Sequence, residues 1–270
     1  MSNKLKKFLA MGLMSVMVLS LAACGGSTDT DSEAADGDSE SGEVTTYTAV
    51  TEATFPPFDT VDEETGEIIG FDMDLMNAIA EDQGFAVEYV DMEFDSLIPA
   101  LQAGNGDIIT AGMNAEDPER QAQVDFSDTY YDSALVVVVK ADNETITSID
   151  DLTADMKVAS QIGTTGADEV NSLAEAGSIK EAVILNGFDT CMLQLINGDV
   201  QAVIIDKPVA EAYMNKQEGK VKTVGEPLNA ESYGFAVQKG NTELLEKINT
   251  GLQNVKDNGT YDELIEKWFN

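Results

Sequence analysis

The residues best suited to bind a small charged ligand stand just after the apolar runs of this sequence. Arg120 is the only arginine among 270 residues, and it lies in an acidic stretch with Asp117 and Asp125. A planar guanidinium can donate two parallel hydrogen bonds to a carboxylate, which a lysine cannot do. Arg120 is therefore a candidate for binding a carboxylate. The alternative is a surface ion pair with Asp117 or Asp125.

Further candidates complement this group with partners for an ammonium and a side chain. Residues 164–166 follow a predicted strand and begin a helix, where backbone N–H groups favour an anion. Asp206 ends an apolar strand, so its carboxylate can accept from an ammonium, cap the next helix, or do both. Phe55 and Phe94 offer aromatic faces to an aliphatic or cationic group, with a plain core role as the alternative. Together these residues suit a free α-amino acid.

The elements that must position these residues form an alternating α/β pattern. Strands are predicted at 45–50, 86–92, 107–112, 134–140, 157–160, 182–185, 201–206 and 233–238. Helices are predicted at 71–84, 95–104, 167–176, 188–198 and 207–217, and on either side of Gly259. Asp95 or Ser96 is expected to cap the second helix. The alternation predicts mostly parallel sheets, whose ligands bind beyond the carboxyl ends of the strands.

The N-terminal segment has the pattern of an export signal. Residues 1–23 combine early lysines with an apolar run too short for a membrane span, which predicts a signal peptide. The run ends at Leu21-Ala22-Ala23-Cys24, which resembles the lipobox of bacterial lipoproteins, with an ordinary secretory signal as the alternative. Cys24 is then predicted to carry the lipid anchor. Residues 24–43, rich in Gly, Ser and acids, predict a disordered acidic linker.

The composition excludes several functional classes. A formal charge of −35 argues against nucleic acid and anionic lipid surfaces as partners. The absence of histidine removes the usual general base and the commonest metal ligand. We therefore predict no metal site, no cofactor and no catalytic residue. Once Cys24 is lipidated, Cys191 is the remaining cysteine, so no intrachain disulfide is expected.

Several stretches together resemble the extracellular solute-binding proteins (family 3) of polar amino-acid ABC importers. They include ATFPPFD, FDSLIPALQAGNGDI, PERQAQVDFSDTYY, IGTTG and INGDVQAVIIDKPVA. The resemblance runs from about Thr45 to Phe269 and implies an α/β, two-lobed periplasmic-binding-protein-like (type II) fold with two hinge strands. The implied limits are 44–131 plus 233–270 for lobe 1, 134–228 for lobe 2, and hinges near Tyr131–Ser133 and Asn229–Ser232.

The resemblance also implies a set of ligand-binding residues. They are Arg120 and Thr165, with the amide donors from Thr164, for the ligand carboxylate; Gly112 and Asp206 for the ammonium; Phe55 and Phe94 for the side chain; and Glu52 and Gln161 for side-chain specificity. The segment from Gly112 to Arg120 looks one residue longer than the family pattern. Either Asn114 or Ala115 then takes the place of the usual threonine, and Asn114 is preferred.

The function implied is that of a binding receptor and not of an enzyme. It would be monomeric, anchored through Cys24 at the outer face of the cytoplasmic membrane, and would deliver a free polar or basic amino acid to an ABC permease. Glu52 suits lysine, arginine or ornithine, whereas Gln161 suits glutamine or cystine equally well. The alternatives are a periplasmic-type dehydratase on the same fold and a ligand-sensing partner of a membrane receptor.

Overall fold

The computed structural model describes residues 44–270. The predicted signal peptide, Cys24 and the linker 24–43 lie outside the described residues. The strands are β1 (Thr46–Thr51), β2 (Thr54–Phe55), β3 (Asp59–Val61), β4 (Ile68–Ile69), β5 (Ala86–Asp91), β6 (Ile108–Ile109), β7 (Val124–Phe126), β8 (Tyr131–Lys140), β9 (Lys157–Gln161), β10 (Glu181–Leu185), β11 (Ala202–Asp206), β12 (Val221–Val224), β13 (Ala230–Tyr233) and β14 (Ala236–Gln238). The helices are α1 (Phe71–Gln83), α2 (Leu97–Gln102), α3 (Pro118–Gln121), α4 (Thr165–Glu175), α5 (Phe188–Asn197), α6 (Lys207–Lys216), α7 (Thr242–Asp257) and α8 (Thr260–Phe269).

The first sheet has the strand order β5-β1-β6-β14-β7. Strands β5 and β6 run parallel to β1, whereas β14 runs antiparallel to both β6 and β7. Helix α1 buries Phe71, Leu75 and Ile79 at the helical spacing that the sequence predicts. It ends at Gly84, whose left-handed backbone (φ 72°) provides the expected C-terminal cap.

The second sheet has the strand order β10-β9-β11-β8-β12, with β13 also paired to β8. Strands β9, β10 and β11 are parallel, and β8 runs antiparallel to β11, β12 and β13. The apolar run Leu135–Val139 at the centre of β8 is fully buried, as its continuous hydrophobicity predicts.

The expectation of mostly parallel sheets is wrong. Parallel neighbours need a crossover connection, which is usually a helix. No helix separates β7 from β8, or β13 from β14, because the chain passes there directly from one sheet to the other. Such connections bring β8, β13 and β14 into their sheets in the antiparallel direction.

Two paired strands join the parts of the molecule that carry the two sheets, which we call lobe 1 and lobe 2. Strand β13 pairs with the start of β8 from Tyr233 opposite Tyr131 to Ala230 opposite Ala134. These residues overlap the two segments that the family resemblance implies as hinges. The limits of the lobes remain a prediction. Among residues 44–270, no helix is both long and apolar enough to cross a membrane.

Some boundaries differ from the sequence-based expectation. The chain makes a 3₁₀ turn at Phe94–Ser96 before α2, and neither Asp95 nor Ser96 caps that helix with its side chain. Ser96 is already helical (φ −90°, ψ −12°), so it cannot adopt the extended conformation of a capping residue. Strand β6 ends at Ile109 because the chain leaves the sheet towards Gly112, which has φ +51°.

A close backbone contact fixes the start of α1. The amides of Phe71 and Asp72 donate to the carbonyls of Pro57 (2.9 Å) and Phe58 (3.1 Å). The residue before them, Gly70, has φ +153°, and a Cβ atom there would lie 1.8 Å from the carbonyl oxygen of Phe58. Only glycine fits this position without moving α1 away from the small antiparallel sheet that β2, β3 and β4 form.

We predict that Gly70→Ala lowers the free energy of unfolding by about 3 kcal/mol or more, because backbone atoms must move. The matched control is Gly66→Ala, where φ is +74° but no atom lies within 4 Å of the new Cβ. That variant should lose only about 1 kcal/mol, from backbone strain. Urea denaturation measures both, and equal losses would contradict the contact.

Candidate functional site

A small cavity between the lobes gathers almost all of the predicted ligand-binding residues. In this closed arrangement it is narrow, with a volume of about 10 Å³ accessible to the centre of a water molecule. Its lining residues are Phe55, Phe94, Gly112, Asn114, Arg120, Gln161, Thr164, Thr165, Asp206 and Glu231. Every residue proposed from the sequence is present except Glu52, and Glu231 is an addition. Lobe 1 contributes the residues up to Arg120, and lobe 2 contributes Gln161, Thr164, Thr165 and Asp206.

Arg120 is buried at the edge of the cavity and is not a surface residue. It lies on the one-turn helix α3, whose N-cap Asp117 accepts hydrogen bonds from the amides of Glu119 (2.7 Å) and Arg120 (3.3 Å). The same Asp117 carboxylate lies 3.6 Å from Nε of Arg120. Burial lowers the pKa of Arg120 from its ordinary value, and the charge of Asp117 opposes that shift. The guanidinium remains protonated and is only 8% exposed.

The Arg120 guanidinium also reaches across the cavity. Its Nη2 donates to the carbonyl oxygen of Gly163 in lobe 2 (3.0 Å). The ring of Phe94 lies against it, 5.4 Å from the guanidinium carbon, which is a cation–π distance. Asp125, the other acid considered as its partner, pairs instead with Lys239 (3.1 Å).

Gly112 brings the backbone of lobe 1 to the cavity wall. Its φ is +51°, and a Cβ atom there would lie 2.5 Å from the ring of Phe55. Its amide donates to Oδ2 of Asp72 (2.9 Å), so its carbonyl is the backbone group able to accept from an ammonium. The hydroxyl of Tyr130 donates to the same Asp72 oxygen (2.7 Å).

Two buried aspartates support this turn from behind. Asp59 and Asp72 are both fully buried, and Asp59 accepts from the hydroxyl of Thr51 (2.6 Å). Burial raises the pKa of Asp72 to about 7, partly offset by the hydrogen bonds from Tyr130 and Gly112. Burial, and then the charge of Asp72, raise the pKa of Asp59 well above its usual range. The pair therefore retains a proton near neutral pH.

The lobe 2 wall is the start of helix α4. Thr164 is its N-cap, and the Thr164 hydroxyl accepts from the amide of Ala167 (3.1 Å) and donates to the carbonyl of Gln161 (2.7 Å). The cap leaves other first-turn amides available to an anion, as predicted for a helix N-terminus. The hydroxyl of Thr165 donates to the carboxylate of Glu231.

Asp206 points into the cavity. It occupies the N-cap position of α6, but its side chain makes no capping hydrogen bond. It accepts instead from the hydroxyl of Tyr233. Burial raises the pKa of Asp206 well above its usual range, and the carboxylate of Glu231 beside it raises the pKa further. The sequence leaves open whether Asp206 caps α6 or accepts from a ligand ammonium. Its side chain lines the cavity and does not cap the helix, which favours the second role.

The aromatic and amide residues form the remaining walls. Phe55 is 7% exposed and lies against the rings of Phe58 (5.8 Å) and Phe188 (5.9 Å). It therefore has the core role and a cavity-facing role at once. Asn114 lines the cavity, whereas Ala115 does not, and Oδ1 of Asn114 accepts from the amide of Glu116 (3.1 Å).

Glu52 lies behind the cavity wall. Its carboxylate accepts from the hydroxyl of Thr54 (2.7 Å). Burial raises the pKa of Glu52, and the neighbouring side chains of Gln161 and Thr54 partly offset that rise. The Gln161 amide donates to the carbonyl of Asn186 (2.8 Å). Any effect of Glu52 on a ligand would therefore pass through Gln161.

Several hydrogen bonds hold the lobes together around the cavity. The Asn186 amide donates to Glu93 (2.6 Å), and the Tyr213 hydroxyl donates to the carbonyl of Thr54 (2.9 Å). Together with the bond from Arg120 to Gly163, these contacts describe a closed arrangement. Within residues 44–270, no group of three or more His, Cys, Asp or Glu side chains is arranged to hold a metal ion. Cys191 in that part of the chain is a buried free thiol.

Sequence reasoning missed three residues that shape the site. Glu231 and Tyr233 lie on the hinge strand β13, and Asp72 lies in the first turn of α1. The rule for open α/β sheets points to residues just after strands, whereas Glu231 lies inside strand β13. Glu231 could have been predicted from its place in the hinge segment Asn229–Ser232. Hinge strands run beside the cleft, so an acid there can face a ligand.

Comparison with known proteins assigns the chain to a family. The sequence pattern of the bacterial extracellular solute-binding proteins, family 3, matches residues 47–270. The chain belongs to this family. The predicted α/β two-lobed fold with two hinge strands is confirmed in its architecture, because solved structures of the same class superpose on it. One is an ancestral arginine-binding protein bound to arginine, at 45% identity and a TM-score of 0.79, covering 83% of this chain and 98% of that one.

Other family members and related structures extend the similarity. The chain is 34% identical to a probable histidine-binding protein of Neisseria gonorrhoeae, over 98% of this chain and 96% of that protein. It is 38% identical to an ancestral amino-acid-binding protein that is a precursor of cyclohexadienyl dehydratase. That structure has a TM-score of 0.75 and covers 83% of this chain and 96% of that one.

The buried aspartate pair makes a prediction about pH. Because the folded-state pKa values of Asp59 and Asp72 are raised, the folded chain holds more protons than the unfolded chain between about pH 4 and 7. This pair therefore destabilises the fold progressively as pH rises through that window. Asp59→Asn should gain stability relative to the unmodified chain, by roughly 1 kcal/mol per pH unit.

Chemical denaturation at several pH values between 4 and 8 measures this difference. The control is Asp142→Asn, which removes the same charge from an exposed position. A parallel pH profile for Asp59→Asn and the unmodified chain would show that the pair does not retain a proton.

Proposed function

We propose that this family member is an extracytoplasmic receptor that binds a free polar or basic amino acid and delivers it to an ABC permease. The observation that carries the proposal is the polarity of the cavity. Its lining combines a guanidinium and helix N-terminal residues, which suit an anion, with the carboxylate of Asp206, which suits a cation. These groups complement the two charges of one zwitterion.

The assignment of each pole follows from the donor and acceptor types. Arg120 has a planar fork of donors, and the first turn of α4 adds amides with a favourable dipole, so both suit a carboxylate. Asp206 and the carbonyl of Gly112 are acceptors, so both suit an ammonium. The side chain of the ligand then lies among Phe55, Phe94 and Gln161.

The arrangement also explains why a ligand would favour closure. Arg120 and Gly112 belong to lobe 1, whereas Asp206 and the α4 amides belong to lobe 2. A ligand that contacts both lobes stabilises the closed state relative to an open one, which is what a ligand-driven change requires. The paired hinge strands β8 and β13 would take up the rotation. The closed form would then bind the permease.

The expected cellular setting remains part of the proposal. The lipid anchor at Cys24, the signal peptide, the linker, the lobe limits and a monomeric state rest on the sequence patterns given above. Radiolabelled palmitate incorporation into the full chain, compared with Cys24→Ala, would test the anchor. Incorporation that is unchanged in Cys24→Ala would contradict it.

A dehydratase is the alternative that a specific observation supports. One similar structure is an amino-acid-binding precursor of such an enzyme. The buried cavity acid Asp206 is also protonated more readily than an ordinary aspartate, as a general acid must be. Incubation with prephenate-like acids distinguishes the two, and measurable turnover would replace the binding function by the enzymatic one.

A thermal-shift screen tests the ligand class directly. We expect one or more of arginine, lysine, ornithine, histidine, glutamine and cystine to raise the melting temperature, because a ligand stabilises by RT ln(1+[L]/Kd). Leucine and aspartate serve as controls of apolar and acidic character. A screen in which no amino acid shifts the transition would contradict the proposed function.

Arg120→Lys should raise the Kd of the amino acid found in that screen by at least about tenfold in calorimetry, because lysine keeps the charge but loses the planar fork. Asp206→Asn should weaken binding similarly, through the ammonium. Unchanged affinity in Arg120→Lys would remove Arg120 from the site, and unchanged affinity in Asp206→Asn would reassign the ammonium.

A further inference from the structure

Glu231 is an acid in the cavity wall. The sequence patterns do not predict it, and the proposed function gives it no role in binding either charged group of the ligand. It is 3% exposed, and it lies on β13, opposite Ser133 of β8 in the hinge pair. One oxygen of the Glu231 carboxylate accepts a hydrogen bond from the hydroxyl of Thr165. The side chain also lines the cavity beside Asp206.

Two carboxylates in contact are costly to bury when both are ionised. Each loses water, and each repels the other unless a proton or a cation lies between them. The hydroxyls of Tyr233 and Thr165 each donate to one member, but neither carries a positive charge. Arg120 is the nearest cation, and it is already engaged by Asp117 and Gly163.

A ligand ammonium fits this acid pair. It has three N–H donors and a full positive charge, so it can donate to both carboxylates and to the carbonyl of Gly112 at once. We propose that Glu231 is a second carboxylate for the ligand ammonium, which Asp206 and Glu231 then bind together. The inference rests on the proposed function. It adds Glu231 as a residue that sets which amino acids the cavity prefers.

The charge count extends the inference to the ligand class. The carboxyl groups of Asp117, Glu231, Asp206 and Asp168 all lie close enough to act on the single guanidinium of Arg120, so acids outnumber the cation around the cavity. A neutral zwitterion leaves that excess unchanged, whereas a ligand with a cationic side chain reduces it. The site should therefore favour amino acids with net positive charge over neutral analogues of the same shape. Arginine and citrulline form such a pair.

Proton release provides a readout that a purely structural role would not produce. Burial raises the pKa of Asp206 well above its usual range, so Asp206 is expected to hold a proton until a bound ammonium favours its ionised form. The ionisable groups that face the pair are Arg120 on α3 and Tyr233 on β13, with Asp168 on α4 near Arg120. Neither Arg120 nor Tyr233 changes protonation near neutral pH, since burial and the neighbouring acids keep the pKa of Tyr233 well above its usual value.

The experiment is calorimetry of L-arginine, L-histidine, L-glutamine and L-citrulline with the full chain, in two buffers of different ionisation enthalpy. We expect the unmodified chain to release a proton on binding and to prefer arginine to citrulline. Glu231→Gln should raise the Kd of arginine by at least about tenfold and reduce the preference for arginine over citrulline. It should also reduce the proton release, because the Glu231 carboxylate is one of the groups that raise the pKa of Asp206.

Thr165→Val is the matched control, because it removes the hydroxyl that Glu231 accepts from and leaves the carboxylate in place. We expect it to weaken binding less and to keep the proton release. If Thr165→Val and Glu231→Gln weaken binding equally, without further loss in the double variant, Glu231 only positions Thr165 and the inference is wrong.

The remaining outcomes separate this inference from the proposed function. An unmodified chain that binds none of the four amino acids contradicts the proposed function itself. A chain that binds, with Glu231→Gln unchanged in affinity, contradicts this inference alone. Should Glu231→Gln fail to fold, the unmodified chain still decides, because equal affinities for arginine and citrulline would contradict an acid pair that favours cationic ligands.

Discussion

The burial of one guanidinium is the constraint around which this structure is organised. A cation taken out of water costs several kcal/mol unless acceptors and opposite charge surround it. Arg120 meets this requirement from both sides of the cleft, through Asp117 on its own helix and the Gly163 carbonyl of lobe 2. The residue that we propose to bind the ligand carboxylate therefore also helps to hold the lobes in a closed arrangement.

The acids of the chain form two distinct buried groups with different tasks. Asp59 and Asp72 lie behind Gly112 and fix the turn that carries the backbone to the cavity. Asp206 and Glu231 lie in the cavity wall, where each accepts from a single hydroxyl group. Buried carboxyls of the first group are structural, whereas those of the second are placed where a ligand cation can meet them. The high overall negative charge hides this difference in the sequence.

Much of the site could be predicted because parallel strands bring their carboxyl ends to one edge of a sheet. That rule places Gln161 and Asp206 together at one edge of the second sheet, and it places Gly112 beyond the equivalent edge of the first sheet. It fails for Glu231, which faces the cavity from within a hinge strand and comes near it only through pairing with β8. The rule also does not predict that β8, β13 and β14 run antiparallel to their neighbours. Their direction depends on where the chain passes from one sheet to the other, which a local sequence pattern does not show. Local pattern likewise could not show that Ser96 is already helical and therefore unable to cap α2.

The most direct test of the account is a crystal structure of the chain grown with the amino acid that gives the largest thermal shift. The account predicts that the ligand carboxylate contacts the Arg120 guanidinium and the first turn of α4. Its ammonium should lie between Asp206, Glu231 and the Gly112 carbonyl. A ligand bound with its poles reversed, or outside this cavity, would contradict the central claim that the cleft is built to bind one zwitterion at both ends.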